Sequence, residues 1–361
     1  MMISAASGFI NQSEKYSREN AGQSLKKYTL LKKGELAYNH GASKLRQFGC
    51  CFELKEKAAR IPYIYHTFSI DEKEYAPYIA LLLNNPIMDR QLKRLVSSSV
   101  RMDGLLNISY EEYMSIRLSI PMLKTEQEKL YSFIEKLDQR IQKQRQLVEL
   151  LKSYKRGLST ALFTYKIRIP KADRMPDSKW KKRTLGEVFS ERTEKANGDE
   201  KLLAITINNG VQDRENLDLK DNSSDDKTNY KVVHIDDLAY NSMRMWQGAC
   251  GVSKYNGIVS PAYTVVYVAD PVTDHMPFWG YYFKEISVLH TFQRNSQGLT
   301  SDTWNLKYDK FSRISVESPV KEEQVRIASL LDRLTSLINE QEETENKLQR
   351  YKKGLLSKMF I

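Results

Sequence analysis

The chain has 361 residues, which is room for two or three domains and more than one hydrophobic core. Lys and Arg number 56 against 45 Asp and Glu, a formal charge of +11 that points to a polyanionic partner, nucleic acid first among them. The three cysteines, Cys50, Cys51 and Cys250, have no CxxC spacing, which argues against a disulfide framework and a structural zinc site, and no metal or cofactor is expected.

In chain order, residues 1–121 are expected to form a first globular domain. Met1–Ile10 has no basic stretch ahead of an apolar one, and the longest apolar run, Tyr78–Leu83, is too short for a bilayer. A reducing, cytoplasmic setting without a membrane is therefore expected. Asn39, Lys44 and Arg46, with Ser98, Ser99 and Arg101 from a serine-rich segment, are donors and acceptors of the kind that read bases and hold phosphates. For any one of them a plain solvated loop is the alternative.

Residues 122–168 are predicted to form a first long helix. Ile134, Leu137, Ile141, Gln144, Val148 and Leu151 step by three and four, the spacing of a coiled-coil seam, and Leu158 and Leu162 continue it past Lys155. Residues 169–179, with Pro170 and Pro176, are predicted to be a linker. Residues 180–319 are predicted to be a second globular domain, with strands over Lys231–Ile235 and Ala262–Ala269 and turns at Asn208–Gly210 and Asp221–Ser224. Its candidate DNA contacts are Asn241, Arg244, Lys254, Tyr255, Arg294 and Asn295.

Residues 320–361 are predicted to repeat the long helix, with Ile327, Leu331, Leu334, Ile338, Gln341, Leu348, Leu355 and Met359 on the seam. No proline interrupts either helix, so each has room for about 57 Å at 1.5 Å per residue. Gln144 and Gln341 are either tolerated polar residues or devices that fix register. Gly157 and Gly354 either mark a fraying end or admit another backbone. The fold class is α+β.

The chain is written twice. Leu36–Asn39 and Leu238–Asn241 are the same tetrapeptide at an offset of 202, with Gly8/Gly210 and Tyr28/Tyr230 at the same offset. Asn107/Asn305, Tyr110/Tyr308 and Pro121/Pro319 follow at 198. From Glu126/Glu323 to Phe163/Phe360 the offset is 197 without gaps, with 12 identities over 38 positions. Such a period is too long for a solenoid and describes a duplicated domain-plus-helix module. The helices resemble each other more than the globular parts do, which suits a shared scaffold carrying two different recognition surfaces. At the offset of 202, Met1 falls on Leu203, so the first domain is expected to be truncated, without a counterpart of Trp180–Leu202.

In their duplicated order several marks resemble the specificity (S) subunits of Type I restriction-modification systems. They are Glu126-Gln127 and Glu323-Gln324 after Pro121 and Pro319, Tyr154–Leu158 and Tyr351–Leu355, and Lys358-Met359-Phe360. The two Leu-Ala-Tyr-Asn segments and the serine-rich segment ending at Arg101-Met102 belong with them. The resemblance implies two target-recognition domains, each reading one half of a bipartite site in double-stranded DNA. It implies that the two helices pair antiparallel and dock two methyltransferase (modification) subunits, with restriction (motor-nuclease) subunits joining the complex. Adenine methylation and DNA cleavage then belong to the partners, and this chain is not an enzyme. Two alternatives stand beside this. A coiled-coil protein-interaction adaptor without DNA specificity would show the same helices. A nuclease could be drawn from Asp177 and Asp199-Glu200-Lys201 around Mg²⁺, although no phosphate-binding loop or S-adenosylmethionine loop is present.

Overall fold

A computed structural model describes residues 1–14, 27–96, 106–169, 179–197, 200–217, 226–298, 300 and 303–359. The same run of elements occurs twice. First come the hairpin β1 (Met2–Ser4) and β2 (Gly8–Ile10), then β3 (Thr29–Lys32), β4 (Leu36–Asn39), β5 (Cys50–Glu53), β6 (Ala58–Ile61) and β7 (His66–Phe68). The helices α1 (Ala76–Leu83), α2 (Pro86–Leu95), α3 (Tyr110–Met114) and α4 (Lys124–Phe163) complete the first pass. The second pass opens with three elements of its own, β8 (Lys181–Thr184), α5 (Leu185–Val188) and β9 (Phe189–Glu191). The hairpin β10 (Leu203–Thr206) and β11 (Gly210–Asp213) follows, then β12 (Lys231–Val233), β13 (Leu238–Asn241), β14 (Cys250–Val252), β15 (Gly257–Val259) and β16 (Tyr263–Val268). It ends with α6 (Met276–Tyr282), α7 (Ile286–Asn295), α8 (Tyr308–Phe311), β17 (Ser315–Ser318) and α9 (Lys321–Met359).

Pairing repeats with the order. β3 pairs antiparallel with β6 as β12 does with β15, and the sheet β5-β4-β7 has the order of β14-β13-β16. Gly8 and Gly210, 202 residues apart, both take a positive φ (73° and 62°) at the start of the second hairpin strand, where a side chain would be strained. The repeated tetrapeptide forms the central strand in each sheet because Leu, Ala and Tyr are buried there on both faces. Tyr38 stacks on Tyr113 at 3.9 Å in the first module, and Tyr240 stacks on Phe311 at 5.2 Å in the second.

The chain divides into two compact units, Met1–Gln146 with Glu342–Ile361, and Leu147–Gln341. Each unit therefore holds a stretch of both long helices, and these pair antiparallel within it. In the first unit Arg145 meets Glu345 at 3.3 Å. Seven residues back on α4 and seven forward on α9, Asp138 meets Lys352. In the second unit Lys155 donates to Thr335 Oγ1 at 2.6 Å. Lys155 and Lys352 are equivalent in the repeat, and so are their partners.

Ile134, Leu137, Val148, Ile327, Leu331 and Ile338 are buried, and Ile141, Gln144, Leu151, Leu334, Gln341 and Leu348 are half-buried. Gly157 and Gly354 lie inside helices that continue beyond them, and a Cβ at either would meet nothing within 4 Å. Neither of the two expected roles for these glycines is therefore filled within the chain itself.

Each long helix is tied to its own module by the glutamine of the Glu-Gln start. Gln324 accepts the His275 amide at 2.8 Å at the head of α6 and donates to Asp274 (3.2 Å) and to the Pro319 carbonyl (3.0 Å). Gln127 does the same with the Tyr75 amide (2.9 Å), Glu74 and the Pro121 carbonyl (2.9 Å).

Candidate nucleic-acid interface

In the second module the polar end of β13 turns back through Asn241, whose Oδ1 accepts the Met243 amide at 3.0 Å. The Ser242 carbonyl accepts the Leu306 amide (2.8 Å), and Gln297 and Asn305 exchange two backbone bonds of 3.0 and 2.8 Å. These bonds set Asn241–Arg244, the end of α7 and Trp304–Lys307 side by side. Arg244 and Arg294 are exposed. Asn295 donates to the Thr291 carbonyl at 2.9 Å. Trp246 and Trp304 meet edge to face at 5.1 Å, the first held by a bond from its Nε1 to the Met243 carbonyl (3.1 Å).

Beside this group lies a cleft of about 600 Å³ whose wall includes Glu191, Lys231, Tyr263, Asn305, Lys307 and Asp309. Asn305 Oδ1 is buried without a hydrogen-bond partner. Ser242 and Thr264 share a buried hydroxyl bond of 2.9 Å in the same wall. Burial pushes the Tyr263 phenol above its usual range, with Arg214 and Arg244 pulling the other way. The cleft thus offers an unpaired acceptor, two lysines and an aromatic edge. Lys231 is partly neutralised by Glu191 at 3.3 Å.

Lys254 and Tyr255 sit elsewhere, on the turn between β14 and β15 at the opposite end of the β13–β14 ladder. Lys254 is exposed. Lys201 lies over the Tyr255 ring at 5.7 Å and pairs with Asp213 at 2.6 Å. The hydrogen bond from Lys201 holds the Asp213 carboxyl below the usual carboxylate range.

Residues 177–350 match the family model described as Type I restriction modification DNA specificity domain. The chain carries a Type I restriction-modification DNA specificity domain. No curated protein matches it in sequence. Among solved structures, one from work on the assembly and conformational transition of the type I R-M system is 16% identical, with TM-score 0.53, over 91% of this chain and 82% of that one. The HsdS subunit from Thermoanaerobacter tengcongensis is 15% identical, with TM-score 0.50, over 92% and 81%. The Type-I restriction-modification system S subunit from M. genitalium is 14% identical, with TM-score 0.53, over 93% and 85%. At these identities the likeness is one of fold, and it spans both modules.

Within the specificity domain the structure brings Asn241, Arg244, Arg294 and Asn295 to one face and leaves Lys254 and Tyr255 apart. Lys231, Asn305 and Lys307 were not singled out in the sequence. Asn305 had a usable signal, its match to Asn107 in the repeat. In the first module Asn39 is engaged locally, accepting the Gly41 amide (2.9 Å) and donating to the Ile3 carbonyl (3.3 Å). Arg46 braces the corner between α1 and α2 through the Gly49 carbonyl (3.4 Å), both oxygens of Asn84, and Asp89 (3.8 Å). Lys44 is exposed. Ser98, Ser99 and Arg101 lie outside the described residues, as do Asp177 and Asp199 of the nuclease alternative. Among the described residues no group of three His, Cys, Asp or Glu could hold a metal ion, and no helix is long and apolar enough to cross a membrane.

Proposed function

We propose that the chain is the sequence-reading subunit of a Type I restriction-modification complex, without chemistry of its own, in the cytoplasm. The observation that carries this is the face built from Arg244, Trp246, Asn295, Trp304 and Lys307 beside a cleft with a buried unpaired Asn305 oxygen, inside a domain of DNA-specificity type. Arginine and lysine there hold phosphates, amides read base edges, and the two indoles offer stacking surface. The second target-recognition domain is assigned to 180–319 and the first to 1–121, each reading one half of a bipartite site in double-stranded DNA.

The helices 122–168 and 320–361 are the docking scaffold for two methyltransferase subunits, with restriction subunits completing the complex. The outward side of α4 supports this, since Leu147, Leu150 and Tyr154 are exposed at helical spacing next to the open Gly157. The test is selection of bound sequences from random duplex DNA by the purified chain, followed by titration of the selected duplex over a range of salt. Affinity should fall steeply with salt and should drop for a scrambled duplex. Binding that is indifferent to both leaves only the protein-docking adaptor.

A further inference from the structure

In the second module one amide side chain is left unspent. Asn305 lines the cleft beside Lys307 and Tyr263, and its Oδ1 is buried without a hydrogen-bond partner among the described residues. A carboxamide oxygen has two lone pairs to offer, and burying it unpaired is costly. The amides nearby are already engaged. Asn241 Oδ1 accepts the Met243 amide at 3.0 Å, and Asn295 donates to the Thr291 carbonyl at 2.9 Å. The two hydroxyls in the same wall, those of Ser242 and Thr264, bond to each other at 2.9 Å.

The main chain fixes Asn305 at the cleft without using its side chain. The Asn305 amide donates to the Gln297 carbonyl at 2.8 Å, and the Asn305 carbonyl accepts the Gln297 amide at 3.0 Å. The next residue, Leu306, is fully buried, and its amide is held by the Ser242 carbonyl at 2.8 Å. Asn305 and Lys307 flank that buried leucine, and both line the cleft. Lys307 is exposed, so its ammonium can hold a phosphate while the carboxamide reaches a base. Free of any bond, the carboxamide can turn toward a donor that enters the cleft, and its oxygen gains there the partner it lacks inside.

Few groups on a duplex can supply that donor. In the major groove, the one wide enough to admit a protein element, the base donors are adenine N6 and cytosine N4. A carboxamide carries a donor next to its acceptor, so it fits a base edge with an acceptor next to a donor. Adenine presents N7 beside N6, and cytosine has no acceptor beside N4. We propose that Asn305 reads an adenine in the half-site held by the second module, with Oδ1 accepting from N6 and Nδ2 donating to N7, while Lys307 holds a phosphate close by. The inference rests on the DNA reading proposed above and assigns one base to one side chain.

The test selects bound sequences from random duplex DNA with the full chain and with its Asn305→Leu and Asn305→Asp variants. Asn305→Leu should lose the preference for adenine at one position and keep the preferences elsewhere. Asn305→Asp, whose carboxylate only accepts, should turn that position toward cytosine. In the selected duplex, replacing that adenine by unsubstituted purine, which lacks the N6 amino group, should weaken the unaltered chain about tenfold or more and Asn305→Leu less than about twofold. Unfolding in urea, followed by tryptophan fluorescence, checks the fold. The Asn305 oxygen makes no bond in the free chain, so the midpoint should not fall for Asn305→Leu. Unaltered chain that binds every sequence alike overturns the DNA reading and this inference with it. Sequence-selective binding that Asn305→Leu leaves unchanged overturns this inference alone, and so does relaxation at a position occupied by a base other than adenine. A midpoint that falls while the adenine preference stays marks a structural amide and also overturns it.

Discussion

Replacing Gln324 by alanine should unfasten α9 from the head of α6. Gln324 is fully buried and makes three bonds, to the His275 amide, the Pro319 carbonyl and the Asp274 carboxylate. Two neutral bonds at about 1 kcal/mol each and one to a carboxylate at about 1.5 kcal/mol or more sum to a loss of about 3.5 kcal/mol. Asp274 keeps Arg183, which holds the loss near that lower figure. All four tryptophans, Trp180, Trp246, Trp279 and Trp304, fall in the unit Leu147–Gln341, so tryptophan fluorescence follows that unit alone through a urea titration. With a urea slope of about 2.5 kcal/mol per molar, the midpoint should fall by about 1.4 M. Gln127→Ala removes the equivalent tie in the other unit and should leave the tryptophan transition where it is. A midpoint shift below about 0.3 M for Gln324→Ala would refute the reasoning.

Four further outcomes follow from the same geometry. Leu331→Ala should cost about 2–5 kcal/mol in that tryptophan transition, since Leu331 is wholly buried on the seam. Leu150→Ala, on the exposed side of α4, should change stability by less than about 0.5 kcal/mol. On the selected duplex, Arg244→Ala and Lys307→Ala should each weaken binding and each lower the slope of log affinity against log salt by about 1, and unchanged slopes would remove both residues from the phosphate contacts. Burial pushes the Cys50 thiol up to about 11 and the Cys51 thiol up to about 12. The thiolate is the reactive form, so alkylation at pH 9 should be far slower in the folded chain than in urea, where thiols ionise near about 8.5. Because folding favours the neutral thiols, that stabilisation is complete below the unfolded value and is lost as pH rises toward 11 and 12.

The long helices were legible because a seam with steps of three and four is a one-dimensional signal, and a proline, Pro121 or Pro319, stands just ahead of each. Lys231–Val233 and Tyr263–Val268 were legible as strands for a similar reason, local composition. The helices α1 and α6 were not. Ala76–Leu83 and Met276–Tyr282 are apolar nearly all round and are buried on most sides, so no polar face betrays a 3.6-residue period. Phe278, Trp279 and Tyr282 on their own would suit a strand equally well. The candidate DNA residues were only half legible because residue type does not tell a free amide from an engaged one. Asn39 and Asn241 have the right chemistry and spend it on neighbouring backbone, and Arg46 spends its own on Asn84 and Asp89, whereas the Asn305 oxygen is buried and unpaired. The Glu-Gln pair at each helix start was visible as a mark, but its glutamine acts through a residue some fifty positions upstream, which no local window can reveal.

The first compact unit closes only with residues Glu342–Ile361, where Asn85 donates to the Leu356 carbonyl at 3.4 Å and Leu356 packs against the α1 and α2 core. On a ribosome moving at about 5–20 residues per second, the roughly two hundred residues in between take about 10–40 s to emerge. Throughout that interval the side of the first half of α4 that meets α9 lacks that partner and is open to any holdase or neighbouring nascent chain. Residues 342–361 thus act as the latch of a unit whose other part is made well before them, and a premature stop ahead of them that spares every DNA-reading residue would still leave that unit unfinished.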